Sequence, residues 1–238
     1  MTNLVGRVQA ALRDAGVTRG SRVLVAVSGG PDSTALLRAA CSASRCGGFT
    51  VHACTIDHGI RGREESAADV RFVEELCRAL GVELSVRRIP SGECARRARE
   101  RHASLEEAAR DMRHALLRAV AEEEGATIIA LGHTEDDDIE TLLMRVLSGA
   151  DVEGLRGIAP RRGPFLRPLL RCSRAEVIAY LRSLGQPWRE DATNADTSFL
   201  RNRVRRDLVP LLESEFPGFK AGLRALSRKA SIAADLVR

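Results

Sequence analysis

The stretch from Val23 to Leu37, VLVAVSGGPDSTALL, constrains the fold of this chain more than any other. Five consecutive apolar residues, Val23 to Val27, predict a buried strand, and the turn from Ser28 to Ser33 separates it from an apolar helical segment. Adjacent glycines allow close backbone approach, and a helix start offers free N–H groups and a positive dipole end. This glycine turn (residues 28–33) therefore suits a phosphate-sized anion.

The glycine turn differs from a Walker phosphate loop, which requires a lysine before Ser or Thr. The chain has two lysines, Lys220 and Lys229, and both lie far downstream. The predicted anion site therefore depends on backbone N–H groups and on the hydroxyls of Ser28 and Ser33. A simple tight turn is the alternative for these six residues taken alone.

Strand and helix patterns alternate along most of the chain. Further strands are predicted at residues 50–56, 82–89 and 126–131, and helices at residues 3–15, 34–43, 66–80, 104–125 and 136–147. This alternation predicts right-handed βαβ crossovers and an α/β fold with a doubly wound, mainly parallel, Rossmann-like sheet. Ligands of such sheets bind at the carboxyl ends of the strands, where the glycine turn falls.

The later chain carries weaker patterns. Phe165 and Leu166 can form a short strand, and the capping box at Ser173 begins a helix that runs to about Leu184. The last residues are amphipathic and predict a C-terminal helical extension.

Composition excludes several classes of protein. A membrane-spanning helix needs about 18 or more consecutive apolar residues, and the 238-residue sequence has no such run. Its first helix carries charges where a signal peptide needs an apolar core, so we expect a cytoplasmic protein without a membrane partner. The six cysteines form no C-x-x-C pair, which argues against a zinc or iron–sulfur site. The net charge of +5 rests almost wholly on arginine, which suits phosphate recognition.

Two polar motifs follow predicted strands, as the glycine turn does. Residues 57–61, DHGIR, follow the second strand, and residues 133–141, HTEDDDIET, follow the fourth. Helical spacing puts Asp137 and Glu140 on one face, where both can contact one cation, while Asp136 can point elsewhere. The alternative is that the acidic turn only compensates the helix dipole.

A third motif, RNRVR, begins at Arg201. From Arg156 to Arg206 the sequence has twelve arginines against four acidic residues. Such a density of charge is typical of a surface that binds a phosphate backbone, although a solvated helix face is the simpler alternative.

Six segments in this order resemble the tRNA(Ile)-lysidine synthetases, a family of the N-type ATP pyrophosphatase (PP-loop) superfamily with an adenine nucleotide alpha hydrolase-like fold. They are SGGPDS, DHGIR, SLEEAARDMRH, GHTEDDDIETLLMRVLSG, RPLL and WREDATNADTSFLRNRVR. The resemblance implies a ligase that uses ATP and Mg²⁺ to join lysine to C2 of the wobble cytidine (position 34) of tRNA(Ile) with a CAU anticodon. An adenylated tRNA is the intermediate, and AMP and diphosphate are released.

The resemblance also implies roles for individual residues. ATP is expected to bind Ser28, Gly29, Gly30, Pro31, Asp32 and Ser33, and lysine is expected to bind His133, Asp137 and Glu140. The tRNA is expected to bind Arg110, Arg113, Arg201 and Arg205. The expected catalytic residues are Asp32, Asp137, Arg113 and Arg205, and the expected metal ligands are Asp32 and Asp136. The expected partners are ATP, L-lysine and tRNA(Ile), and a homodimer is left open. A tRNA cytidine thiolase and a non-catalytic nucleotide- or RNA-binding module are the alternatives.

The same reasoning divides the chain. Residues 1–212 are expected to form the catalytic PP-loop domain, with a first helix at residues 3–15, a nucleotide-binding core at residues 21–148 and a substrate- and tRNA-facing segment at residues 149–212. Residues 213–238 are expected to form the helical extension, which either packs back on the catalytic domain or begins a further domain.

Overall fold

The computed structural model of the chain describes residues 3–57, 63–190 and 200–236. Most of the DHGIR motif, after Asp57, lies outside the described residues. Residues 191–199, in the segment that begins at Trp188, lie outside them as well.

The described residues form a six-stranded sheet with helices on both faces. The strands are β1 (Arg22–Ala26), β2 (Thr50–Asp57), β3 (Glu83–Arg88), β4 (Ile128–Ala130), β5 (Arg161–Arg162) and β6 (Phe165–Leu166). The helices are α1 (Leu4–Asp14), α2 (Pro31–Gly47), α3 (Arg63–Leu80), α4 (Glu93–Arg101), α5 (Leu105–Glu123), α6 (Glu135–Leu147), α7 (Arg174–Ser183), α8 (Leu200–Arg203), α9 (Val209–Glu215) and α10 (Phe219–Leu236). A π-helical segment, Val204–Leu208, joins α8 to α9.

The order of the strands is β3-β2-β1-β4-β6-β5, and all neighbours pair in parallel except β5 and β6. The predicted doubly wound, mainly parallel sheet is therefore confirmed. The chain runs outward from β1 to β3 and then returns across β1 to β4, so the strand order reverses between β1 and β4. Such a switch point leaves a crevice at the carboxyl ends of the two strands.

Successive side chains of β1 enter two different cores, because strand residues alternate between the faces of a sheet. Val23 and Val25 pack with α1, α2, α3 and α7 on one face. Leu24 packs with Leu117 and Val120 of α5 on the other. The sheet therefore has two buried faces, and α5 and α7 lie on opposite sides of it.

The C-terminal helices form a further layer on α6. Ile139 and Leu143 of α6 bury against Val204, and Phe219 and Leu223 of α10 pack onto the same cluster. The predicted C-terminal helix is therefore present. The expected division at residues 212 and 213 falls inside α9 and stays a prediction.

Local sequence patterns located most elements but missed some. Helix α2 begins at Pro31 rather than at Thr34, because Gly30 is the N-cap and proline is favoured in the first helical turn. Helix α4 and strand β5 were not anticipated. Among the described residues, no helix combines the length and apolar character that crossing a bilayer requires.

Candidate active site

The glycine turn connects β1 to α2 and is held together by its two serines. The Ser33 hydroxyl accepts a hydrogen bond from the backbone N–H of Ser28 (3.1 Å) and donates one to the carbonyl of Gly30 (3.1 Å). The Ser28 hydroxyl lies 3.1 Å from that of Ser33. The turn is thus fixed by its own side chains, and the first N–H groups of α2 lie beside it.

Two glycines allow the close approaches at this end of the sheet. Gly29 has a φ of +85°, and a Cβ there would lie 3.3 Å from the Phe72 ring. At Gly132, which follows β4, a Cβ would lie 3.0 Å from the backbone nitrogen of Ser33. The loop after β4 therefore presses directly against the first turn of α2.

A cavity of about 390 Å³ opens at this point. Its polar lining includes Ser28, Asp32, Ser33, Arg113, His133, Asp137, Arg174 and Arg205. Its apolar lining includes Cys54, Ile56, Leu117 and Leu131. The volume lies in the range of pockets that bind small molecules and cofactors. The lining thus combines the glycine turn, carboxylates, arginines and an apolar wall in one space.

Asp32, in the first turn of α2, is the most perturbed carboxylate of this lining. Its Oδ2 accepts a hydrogen bond from Arg174 (3.2 Å), whereas its Oδ1 is buried without a protein partner. Burial raises the pKa of Asp32 to about 6, against the lowering effect of Arg174, and the nearby Asp137 raises it further. An unpaired buried carboxylate oxygen is costly, so it is suited to a ligand.

Asp136 faces α7. Its Oδ2 accepts a hydrogen bond from the backbone N–H of Arg174 (2.6 Å), and its Oδ1 lies 3.5 Å from Nζ of Lys220. Its charge still reaches Asp32, whose pKa it helps to raise. The backbone of Arg174 is thus bonded to Asp136, and its side chain to Asp32.

Asp137 and Glu140 lie together, as helical spacing predicts, and both contact arginines. Glu140 is almost fully buried and pairs with Arg201 (Nε to Oε2, 3.0 Å) and with Arg205 (Nε to Oε1, 2.6 Å). Oδ1 of Asp137 accepts from both arginines at 3.3–3.4 Å. Its Oδ2 caps α6 by accepting from the backbone N–H of Thr134 (2.8 Å). These contacts bind the segment 200–208 to α6.

His133 and Arg113 line the cavity without strong partners. Burial lowers the pKa of His133, against the opposing effect of Asp137, so its imidazole is neutral near pH 7. Burial also lowers the pKa of Arg113, and the neighbouring Arg110 adds to this effect. The Nδ1 of His133 and the Nε of Arg113 are buried without hydrogen-bond partners.

A family model described as a PP-loop domain matches residues 2–212, which include the glycine turn and every residue of the cavity lining. The chain belongs to the PP-loop family. The PP-loop superfamily that the sequence motifs predicted is therefore confirmed, and ATP is the nucleotide that this PP-loop family uses.

Curated relatives of this PP-loop chain include proteins named tRNA(Ile)-lysidine synthase. The protein from Treponema denticola is 38% identical over 216 residues, which is 91% of this chain and 47% of the relative. The protein from Deinococcus radiodurans is 44% identical over 217 residues, or 91% of this chain and 34% of the relative. The chain thus spans about half or less of the length of these relatives.

Solved structures confirm the PP-loop fold. The U34-tRNA thiolase NcsA from Methanococcus maripaludis, solved with its [4Fe-4S] cluster, has a TM-score of 0.77 and 19% identity. The match covers 96% of this chain and 79% of that one. The NH3-dependent NAD synthetase from Campylobacter jejuni has a TM-score of 0.53 at 16% identity, over 95% of this chain and 91% of that one. At these identities the likeness concerns the fold alone.

Most of the predicted site residues meet at the PP-loop cavity. The glycine turn, Arg113, His133, Asp137 and Arg205 line it or lie at its edge, and Glu140 contacts Arg205 from α6. Arg110 is exposed on α5 and Asp136 faces α7, so neither lines the cavity. The roles assigned to all of these residues stay predictions.

Sequence reasoning missed two arginines of this region. Arg174 lines the cavity, and Arg167 is buried beside β6. Arg167 is the first residue of the RPLL motif, and Arg174 directly follows the Ser173 cap. The cap could have located Arg174 at a helix N-terminus, but its contact with Asp32 spans 142 residues and has no local signal.

Proposed function

We propose that this chain carries the catalytic site of a tRNA(Ile)-lysidine synthase. In this proposal it joins L-lysine to C2 of the wobble cytidine of a CAU anticodon and converts ATP to AMP and diphosphate. The observation that carries the proposal is that one cavity brings the glycine turn next to the carboxylate of Asp137 and the guanidinium groups of Arg113 and Arg205. The names of the curated relatives support the same assignment.

The first step activates the base. The O2 atom of cytidine attacks the α-phosphorus of ATP, the bond to the β-phosphate oxygen breaks, and diphosphate leaves. The first N–H groups of α2 and the hydroxyls of Ser28 and Ser33 are placed to hold the phosphates. Arg174, whose guanidinium lies beside Asp32, adds positive charge where the leaving group accumulates negative charge.

Asp32 fits the role of a magnesium ligand. Its Oδ1 is a buried carboxylate oxygen without a protein partner, and carboxylate oxygens are the donors that Mg²⁺ prefers. Asp136 would be the second donor. Because it faces α7 outside the cavity lining, its Oδ1 would first have to leave Lys220, from whose Nζ it lies 3.5 Å. The ion, when bound, supplies neutralisation of phosphate charge.

The second step forms the C–N bond. The ε-amine of lysine attacks C2 of the adenylated base, and the bond from C2 to the activated oxygen breaks, so AMP leaves with that oxygen. Asp137 and Glu140 would hold the ammonium form of lysine before the attack. Arg201 and Arg205 already contact both carboxylates, so the incoming ammonium would either share these oxygens with the guanidinium groups or displace one of them.

The amine must lose a proton before it attacks, because an ammonium has no free electron pair. His133 is a poor acceptor for this proton, since burial lowers its pKa far below neutral. A carboxylate or water is the better acceptor. Arg113, desolvated at the cavity wall, would stabilise the negative charge of the departing AMP.

One assay tests the proposal and separates it from the two alternatives. The chain is incubated with an unmodified tRNA(Ile) bearing a CAU anticodon, ATP, Mg²⁺ and lysine, and the nucleosides are analysed by mass spectrometry. We expect a cytidine heavier by one lysine less one water, together with AMP. A cytidine that gains sulfur when a sulfur donor is added would instead indicate the thiolase alternative.

Binding of ATP and RNA without any product would indicate the non-catalytic module. The thiolase alternative has little support in the site, because Cys54 is the cysteine of the cavity lining and the other five cysteines lie elsewhere among the described residues. Within the described residues, which include all six cysteines, none belongs to a three-residue group spaced to hold a metal.

A further inference from the structure

Three side chains that could bind a metal ion meet at the end of the sheet where the parallel strands begin, opposite the cavity. His52 is the third residue of β2, Glu83 is the first residue of β3, and Glu124 is the C-cap of α5. The Nδ1 atom of His52 lies 3.5 Å from Oε2 of Glu83 and 3.5 Å from Oε2 of Glu124. We call these three residues the His52 cluster, and none of them lines the cavity.

The register of the sheet brings the His52 cluster together. His52 lies beside Leu24 of β1 and beside Glu83 of β3, and Leu24 packs against α5. Residues in register on neighbouring strands point to the same face of a sheet, so His52 and Glu83 both lie on the α5 face. Helix α5 ends at this point with Glu124. The fold itself therefore places an imidazole between two carboxylates.

The ring of His52 is buried and held from one side. The residue is 5% exposed, and its Nε2 lies 2.9 Å from the hydroxyl of Ser85 on β3. Its Nδ1 is buried without a hydrogen-bond partner, although it faces two carboxylates. When Nε2 carries the proton and donates it to Ser85, Nδ1 presents a lone pair to two negative groups, which a cation between them would reconcile. A metal-binding histidine shows the same arrangement, since its other ring nitrogen donates to a protein oxygen.

The distances in the cluster suit a tetrahedral ion. Zn²⁺ binds imidazole nitrogen at about 2.0–2.1 Å and carboxylate oxygen at about 2.0–2.2 Å, which puts neighbouring ligand atoms about 3.4 Å apart. The two contacts of His52 Nδ1 are close to this separation, and one ligand atom from each of the three residues lies within 4.8 Å of the others. Mg²⁺ and Ca²⁺ prefer ligand sets made of oxygen, so the imidazole favours Zn²⁺.

The charges around the cluster also favour a cation. Within the described residues, Arg22 is the basic side chain other than His52 that pairs with these carboxylates, and its Nη1 lies 3.0 Å from Oε2 of Glu124. A carboxylate has two oxygens, so Glu124 can keep Arg22 on one and bind an ion through the other. Glu124 also closes α5, and the C-terminal end of a helix carries a partial negative charge that attracts cations.

We propose that His52, Glu83 and Glu124 bind a Zn²⁺ ion, with water as the fourth ligand. The ion joins β3, the edge strand of the sheet, to β2 and to the end of α5. This site is distinct from the Mg²⁺ site proposed at Asp32, because the two lie at opposite ends of the parallel strands. It does not depend on the proposed function.

The test measures Zn²⁺ binding to the full chain by calorimetry, with excess Mg²⁺ present to fill sites made of oxygen ligands. A parallel titration with Co²⁺ records visible absorption, which reports the geometry of the bound ion. Glu83→Gln removes one ligand at a side chain that is 74% exposed, so the core is undisturbed. Glu122→Gln is the matched control, because Glu122 is exposed near the same end of α5 and lies outside the cluster.

We expect the unaltered chain to bind one Zn²⁺ at this site and to melt at a higher temperature when Zn²⁺ is added. Glu83→Gln should lower the affinity by more than about 10-fold and remove the rise in melting temperature, whereas Glu122→Gln should change neither. Ser85→Ala should lower the affinity by about 10-fold, because the His52 ring loses its orienting partner. Ser85→Thr keeps the hydroxyl and should restore the affinity.

Equal affinity of the unaltered chain and Glu83→Gln would overturn the inference and assign any bound Zn²⁺ to adventitious ligands such as thiols. An equal effect of Glu122→Gln would also overturn it, because net charge rather than coordination would then be responsible. A folded chain that binds no Zn²⁺ would overturn it as well and leave His52 as an imidazolium between two carboxylates. Lysidine formation is measured in a separate assay, so either proposal can fail while the other stands.

Discussion

Asp32 lies in the cavity lining, and the burial of its charged carboxylate destabilises the folded protein. Its pKa of about 6 lies above the value of 3.8 for an unperturbed aspartate, so the native state holds the proton more tightly than the unfolded state. The ionised carboxylate therefore lowers the free energy of unfolding. This effect is greatest above pH 6 and is mostly lost as the pH falls toward 4. Arg174, Asp137, Arg205 and Asp136 are the charges that face this carboxylate.

We therefore expect Asp32→Asn to raise the free energy of unfolding of the ATP-free protein at pH 8, by about 1–3 kcal/mol. The gain should be much smaller at pH 4, where Asp32 is already protonated in the native state. Urea titrations at the two pH values measure it. A loss of stability at pH 8 would show that the pair with Arg174 outweighs the burial of the charge.

Asp137 has two separable roles, because one oxygen caps α6 and the other faces the arginines. Asp137→Asn keeps an oxygen that can accept from Thr134 and removes the negative charge. We expect this variant to accumulate adenylated tRNA and to lose lysine transfer, as followed with radiolabelled ATP and lysine. Loss of adenylation in a folded variant would instead assign Asp137 to ATP or the metal.

At the scale of single elements, local signals predicted the helices that carry them. The capping boxes at Ser104 and Ser173 mark the starts of α5 and α7, because a cap is a local contact between residues close in sequence. Helix α4 has no such signal. It buries Cys94, which packs against Ile89 and Met112, and Ala98, while most of its other residues are charged, so its apolar pattern is too sparse to detect.

Glu140 is the most buried carboxylate in the contact between α6 and the segment 200–208. Glu140 is 3% exposed at its side chain and joins Arg201 and Arg205. We expect Glu140→Gln to destabilise the protein by about 3 kcal/mol, because it leaves two partly buried guanidinium groups without their main counter-charge. Urea titration measures the loss, with the exposed Glu153→Gln as control.

Hydrogen exchange shows which part of the chain Glu140→Gln destabilises. Amides of residues 200–215 should exchange faster in Glu140→Gln, while those of β1 and β2 keep their relative protection. An equal loss of protection throughout the described residues would contradict a local role for Glu140.

At the scale of the whole molecule, the sequence predicted the α/β class and the end of the sheet where the site lies. Both follow from the alternation of strand and helix patterns and from the turn after β1. The pairing of Asp32 with Arg174 and of Glu140 with Arg205 could not be predicted from local pattern, since these contacts span 142 and 65 residues. They exist because the sheet brings distant loops to one edge.

In the proposed reaction, ATP activates O2 of the wobble cytidine before lysine attacks C2, and an oxygen label at O2 distinguishes this order of events. A tRNA(Ile) with a CAU anticodon is prepared with heavy oxygen at O2 of the wobble cytidine and is converted with unlabelled ATP and lysine. We predict that the released AMP carries the heavy oxygen and that the product nucleoside has lost it. Unlabelled AMP from a reaction that still modifies the base would show that O2 is not the atom that ATP activates.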